Sequence, residues 1–143
     1  MRRSKKVQRS SKSKKESLNW IEAPDVEKRV KLLLSKINPN WQKKGKIFFF
    51  RSTGSKARAY ARIWGLPRIW QQALVQEPAY VIEVITEKFN KLPEKEKDHV
   101  LMHELAHIPQ TFSGSLVPHF KRGKRKFHDR IKRLQTQFDR HKH

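Results

Sequence analysis

Hydrophobic positions along the chain change their period several times, and each change marks an element. Val26, Val30, Leu33, Leu34 and Ile37 recur at helical spacing, with Pro24 near the start of the run and Asn38-Pro39 after its end. This predicts an amphipathic N-terminal helix. Ile47-Phe48-Phe49-Phe50 is a short aromatic run that suits a buried strand over residues 46–52, and Ser52-Thr53-Gly54-Ser55 reads as the turn after it. A second strand is expected from Ala59 to Trp64. Gly65-Leu66-Pro67 breaks that pattern, and Pro67, tolerated in a first helical turn, opens a short helix through Leu74. Tyr80 to Ile85 is the strongest strand signal, β-branched nearly throughout and interrupted by one acid, Glu83. Helical character returns at Pro93, with Glu94 and Glu96 where the helix dipole favours acids, and extends to about Ile108. A loop with Pro109, Gly114 and Pro118 follows, and a basic helix from about Phe120 closes the chain. The expected class is α+β: an N-terminal helix, a small antiparallel sheet of about three strands, a helix over residues 93–108 and a basic C-terminal helix.

Composition narrows this picture. The chain has 143 residues, no cysteine and 36% hydrophobic content, which allows one domain with a modest core. No apolar run approaches the roughly 18 residues that span a bilayer, and the basic N-terminus is not followed by the apolar stretch of a secretory signal. The expectation is a soluble, cytoplasmic protein without membrane contact. Without cysteine, any metal must be held by His and carboxylate.

Charge is concentrated at the ends. Of the net +21, residues 1–15 carry +8, residues 119–143 carry +8, and the 103 residues between them carry +5. The first 17 residues hold too little apolar surface to offset their ordering entropy, so 1–17 is expected to be a disordered basic arm and 18–143 the domain. Such a distribution attracts polyanions, and DNA or RNA is the intracellular polyanion it best suits. Arg122, Lys126, Arg130 and Arg133 recur at helical spacing near the C-terminus and are the candidate nucleic-acid contacts.

The chemistry is carried by His103-Glu104-Leu105-Ala106-His107. Four residues are just over one helical turn, so both imidazoles project from one face about 40° apart. Leu101, Leu105 and Ile108 fall on roughly the opposite side, where they can anchor the helix to a core. Glu104 points about 100° from His103, too far round for a third ligand but suited to a base acting on water beside a metal. Neutral imidazoles leave most of the charge on Zn2+, so bound water falls in pKa to about 7. A catalytic zinc takes three protein ligands, and the third candidates are His99, His119 and His128. The Pro/Gly loop is long enough to bring His119 back over the helix. His99 would make an i, i+4, i+8 series that stretches too far for one tetrahedral centre, and His128 would serve only if the C-terminal helix packs over the site. Two other readings accompany that of a peptidase: a nucleic-acid-binding protein with a structural zinc, and a metal-dependent hydrolase acting on a non-peptide bond.

His103-Glu104-Leu105-Ala106-His107-Ile108-Pro109, Thr111-Phe112-Ser113-Gly114 and Pro118-His119 together resemble the phage and archaeal-type metallopeptidase family. The likeness extends upstream through Phe50 to Lys56 and Ala59 to Gly65, and so covers most of residues 20–120. That family is similar in turn to the SprT-like (Spartan) DNA-associated proteases. The resemblance implies a minimal zincin-like fold, Zn2+, a protein or peptide substrate, His103, His107 and His119 as ligands and Glu104 as catalytic base. Two departures stand out: Phe120 follows His119 where SprT-like motifs commonly have glycine, and Pro109 sits two residues after His107, ending the helix sooner than in the usual zincin signature.

Among the remaining features, Glu83 is read as a solvent-facing edge position. Tyr60 and Arg62 are candidates for stabilising an oxyanion, against a plainer reading as a core tyrosine and a surface arginine. Trp20, Trp41, Trp64 and Trp70 show no regular spacing and are expected to pack the core.

Overall fold

The computed structural model describes residues 17–119 and 121–140, of which 121–128 by backbone only. The basic arm, except for Ser17, therefore lies outside the described residues, as do the side chains of Arg122, Lys126 and His128. The elements in chain order are β1 (Asn19–Glu22), α1 (Pro24–Ile37), β2 (Lys46–Thr53), β3 (Ala61–Gly65), α2 (Arg68–Leu74), β4 (Ala79–Ile85), α3 (Thr86–Phe89), α4 (Glu94–Leu105) and α5 (Lys121–Arg140). The class is α+β. No helix among the described residues is long and apolar enough to cross a membrane.

The sheet departs from the antiparallel arrangement expected. It has four strands in the order β1-β2-β4-β3, with β2 and β4 parallel and the other two pairings antiparallel. Strands adjacent in sequence usually pair, but β2 and β3 do not. Instead β4 lies between them, and a strand inserted there from the same end as β2 must run parallel to it. β4 is buried along most of its length, which suits an interior position and explains its run of β-branched residues. Edge strand β1 carries no signature in the sequence, because all its residues are exposed and no apolar alternation marks it.

One face of the sheet meets the helices. Val26, Val30, Leu33 and Ile37 of α1 and Leu101, Met102 and Leu105 of α4 join Phe49, Ile63, Ile82 and Val84 in the core, all buried. Each such aliphatic side chain contributes about 1.5–3 kcal/mol relative to leaving it in water. Helix α1 starts with Pro24 in its first turn beside Asp25 and Glu27, and stops at Asn38, whose left-handed φ of 49° lets its N–H reach Leu34 O. Arg29 of α1 ties to α4 through Glu94 at 2.8 Å and Asp98 at 2.7 Å.

Helix α4 stops short of the expected Ile108. Beyond Leu105 the bonds tighten to the i−3 pattern, His107 N–H to Glu104 O and Ile108 N–H to Leu105 O, each 3.1 Å. Pro109 disfavours helical geometry at the residue before it, which explains the early stop. The second histidine of the motif consequently sits on a closing turn.

Candidate metal centre

His103 lies in the last turn of α4 and His107 two residues past its end, while Leu101, Leu105 and Ile108 are buried on the far side. The loop after Pro109 folds back over this turn and carries His119 to it. His119 Nε2 stands 2.9 Å from His103 Nε2 and 3.1 Å from His107 Nε2. Ligand atoms bound to one tetrahedral metal at 2.0–2.1 Å are about 3.3 Å apart, so three imidazole nitrogens this close form a set that could hold a metal ion.

The chemistry of the donors fits that purpose. His107 Nδ1 lies 2.5 Å from Val117 O, a contact that requires the proton on Nδ1 and leaves Nε2 with its lone pair toward the other two rings. Val117 N–H returns a bond to His107 O at 2.8 Å, so the loop is clamped to the turn two residues before His119. Burial, reinforced by its histidine neighbours, lowers His103 to a pKa of about 4. Burial also lowers His107, against the opposing bond to Val117. His103 and His107 are therefore mainly neutral at neutral pH, the form that binds metal.

Glu104 is 8% exposed and shares with His103 a cavity of about 350 Å³, lined also by Ala59, Tyr60, Ala61, His99 and Val100. Burial pushes its carboxyl up to about 8, partly offset by the Ile63 backbone N–H. Tyr60 is not a core residue: it is 47% exposed and opens on this cavity. His99 lines the same cavity, but the described cluster of potential ligands comprises His103, His107 and His119.

Other candidate residues are placed elsewhere. The Arg130 guanidinium donates to Ala106 O at 3.0 Å and Ile108 O at 2.6 Å, carbonyls of the turn that follows α4. Arg133 is exposed. Glu83, expected at an edge, is on interior strand β4 and only 1% exposed. Arg62 pairs with Glu83 at 2.9 Å and is thereby committed to the sheet.

Several contributors left no signal in the sequence. Tyr80 Oη donates to Ser115 O and accepts from Gly114 N–H, both at 2.8 Å, binding the His119 loop to β4. Gln71 Nε2 donates to Leu66 O and Ser113 O, each 2.8 Å, adding a tie from α2. The loop's Ser-Gly-Ser composition announced a turn, but not the partners that hold it.

No curated protein and no solved structure matches the chain significantly. The family described as "Putative phage metallopeptidase" has a model that matches residues 18–141, a span that includes the whole histidine cluster, and the chain belongs to that family.

Proposed function

We propose that the protein is a zinc-dependent peptidase in which His103, His107 and His119 hold Zn2+ and Glu104 is the general base. The supporting observation is the convergence of three imidazole nitrogens beside a cavity that also receives Glu104. Zn2+ bound there would supply a Lewis acid for a scissile carbonyl, a coordinated water of pKa about 7 and a positive charge that favours the ionised form of Glu104. The Glu104 carboxylate then takes the proton of the attacking water and passes it to the departing amine. Edge strand β3 begins at this cavity, and an extended peptide added alongside it would be held by backbone bonds beside His103 and Glu104. Tyr60, at the same opening, is the hydroxyl placed to stabilise a developing oxyanion.

The charged ends extend this reading to proteins associated with DNA or RNA. Arg122, Lys126 and exposed Arg133 are the proposed contacts; Arg130 would join them only by giving up its carbonyl partners.

Protein purified without a histidine tag should contain about one zinc per chain, and His103→Ala should lose it. Glu104→Gln should retain the metal and lose hydrolysis of an unfolded basic protein, assayed with and without DNA. Wild-type cleavage by Glu104→Gln would remove the general-base assignment. Turnover of an ester or phosphodiester without proteolysis would make the protein a different hydrolase, and bound zinc with no Glu104-dependent activity would make the metal structural.

A further inference from the structure

Past the start of β3 a second recess adjoins the cavity of the candidate metal centre, and Tyr60 lines both. Its volume is about 390 Å³, and its other walls are Arg58, Glu87, Lys88, Lys91 and Leu92. Two segments distant in the chain build it. Glu87 of α3 accepts the Gly54 N–H at 2.8 Å, which pins the loop between β2 and β3 to α3 and brings Arg58 into one recess with Lys88 and Lys91. Leu92 N–H donates to Phe89 O at 3.0 Å and Leu92 packs against the core, so the turn that carries Lys91 is fixed as well. Tyr60 is held between the two recesses by its own backbone, whose carbonyl accepts the Ile85 N–H at 2.9 Å.

Three cations thus line one small volume, and Glu87, the carboxylate among them, is already engaged by Gly54. None of Arg58, Lys88 and Lys91 makes an ion pair with another described residue. Like charges gathered without a counter-charge repel one another, and a bound anion relieves that repulsion. We propose that this recess holds a carboxylate of the substrate, either an acidic side chain or the free C-terminus of the peptide, a role that rests on the peptidase reading of the metal centre. The Arg58 guanidinium offers a planar fork suited to a carboxylate, and Lys88 and Lys91 add mobile donors from the facing wall. A peptide laid along edge strand β3 passes the cavity of His103 and Glu104 and reaches the recess by running on past Tyr60. The carboxylate would therefore set which bond of the peptide lies beside Glu104. A nucleic-acid backbone fits less well, because its phosphates repeat along a strand whereas these cations converge on one recess.

The test uses the full chain and labelled peptides of one length, capped at both ends, in which a single Glu is moved position by position or replaced by Gln. A second set carries no acid but ends in a free carboxylate, which separates the two sources. Binding to Glu104→Gln protein is read by anisotropy, and cleavage by otherwise unaltered protein is mapped by mass spectrometry. A net charge of +21 attracts every acidic peptide alike, so only a dependence on position among peptides of equal charge reports the recess. One position of Glu, or the free C-terminus, should be preferred about tenfold over its neutral counterpart, with cleavage at a fixed spacing from it. Arg58→Ala, Lys88→Ala and Lys91→Ala should each lower that preference about two- to threefold, with circular dichroism unchanged. Lys43→Ala removes the same charge beyond the far end of β2 and should leave the preference intact. Lys88→Glu should shift the preference toward lysine at the same position. Equal binding at every position would overturn the proposal, as would a loss in Lys43→Ala as large as in Lys88→Ala. So would variants that weaken binding of a short oligonucleotide while the peptide preference persists. Cleavage without any preference would sink the carboxylate site and spare the peptidase; a preference of binding without cleavage would do the reverse.

Discussion

A Cβ placed on Gly65 would stand 2.0 Å from the carbonyl oxygen of Gly114, so the absence of a side chain at Gly65 is what lets the His119 loop lie against β3. Gly114 itself has φ of 96°, a conformation open to glycine, and a Cβ there would meet Leu66 O at 2.2 Å. These positions place His119, which they do not touch. Gly65→Ala should therefore displace the loop, costing about 1–3 kcal/mol of stability, and should weaken zinc binding about 10–100-fold, as remote support of metal ligands generally does. Chelator competition and urea unfolding measure the two effects. Tyr80→Phe removes the acceptor for a buried Gly114 N–H and the donor to Ser115 O, an expected loss of about 1–3 kcal/mol, read in the same unfolding experiment. Unchanged zinc affinity in Gly65→Ala would show that the clamp between His107 and Val117 suffices to seat His119.

Elements show how the motif and its surroundings divide the work. The apolar spacing that marked α1 agrees with its buried face, because helical periodicity is a property of the segment itself. The end of α4 was less legible, since where a helix stops depends on what receives its last carbonyls. Here Arg130 of α5 donates to two carbonyls of the turn that follows, Ala106 O and Ile108 O, from a segment whose sequence suggested only a basic surface. Arg130→Ala should destabilise the fold by about 1–3 kcal/mol, measured by thermal or urea unfolding, through partly buried carbonyls left without their donor. Lysine should restore little of this, because one ammonium cannot reproduce the planar fork that serves both oxygens. Full rescue by Arg130→Lys would show that charge alone is needed there. Leu134 and Phe138 pack against the core from the same helix, so its apolar seam and Arg130 act together in closing α5 over α4.

At the scale of the whole molecule, the sheet separates two surfaces, one covered by the helices beside the candidate metal centre and one held by Glu83. Burial would raise the Glu83 carboxyl, but bonds from Arg62 and the indoles of Trp64 and Trp20 outweigh it and leave the group below its ordinary value of 4.5. A carboxyl lowered by folding stabilises the folded state fully above the unfolded value, and that contribution disappears as pH falls through the folded value. The acid limb of stability should accordingly be shallower in Glu83→Gln, measured as urea midpoints from neutral pH downward; a limb identical to wild type would mean that Glu83 keeps its ordinary pKa. Sequence by itself determined the helices with strong apolar periodicity, the strong strand at β4, the pair of histidines one turn apart and the accumulation of charge at the ends, because all of these depend on neighbours within a few residues. Only tertiary structure decided the rest. It inserted β4 between β2 and β3, brought His119 to the first two histidines across a loop held by Tyr80 and Val117, and set Trp20 and Trp64 outward around one carboxylate instead of in the core. Strand order, loop anchoring and the outer partners of a side chain depend on residues distant in the chain, and local spacing carries no record of which of them will meet.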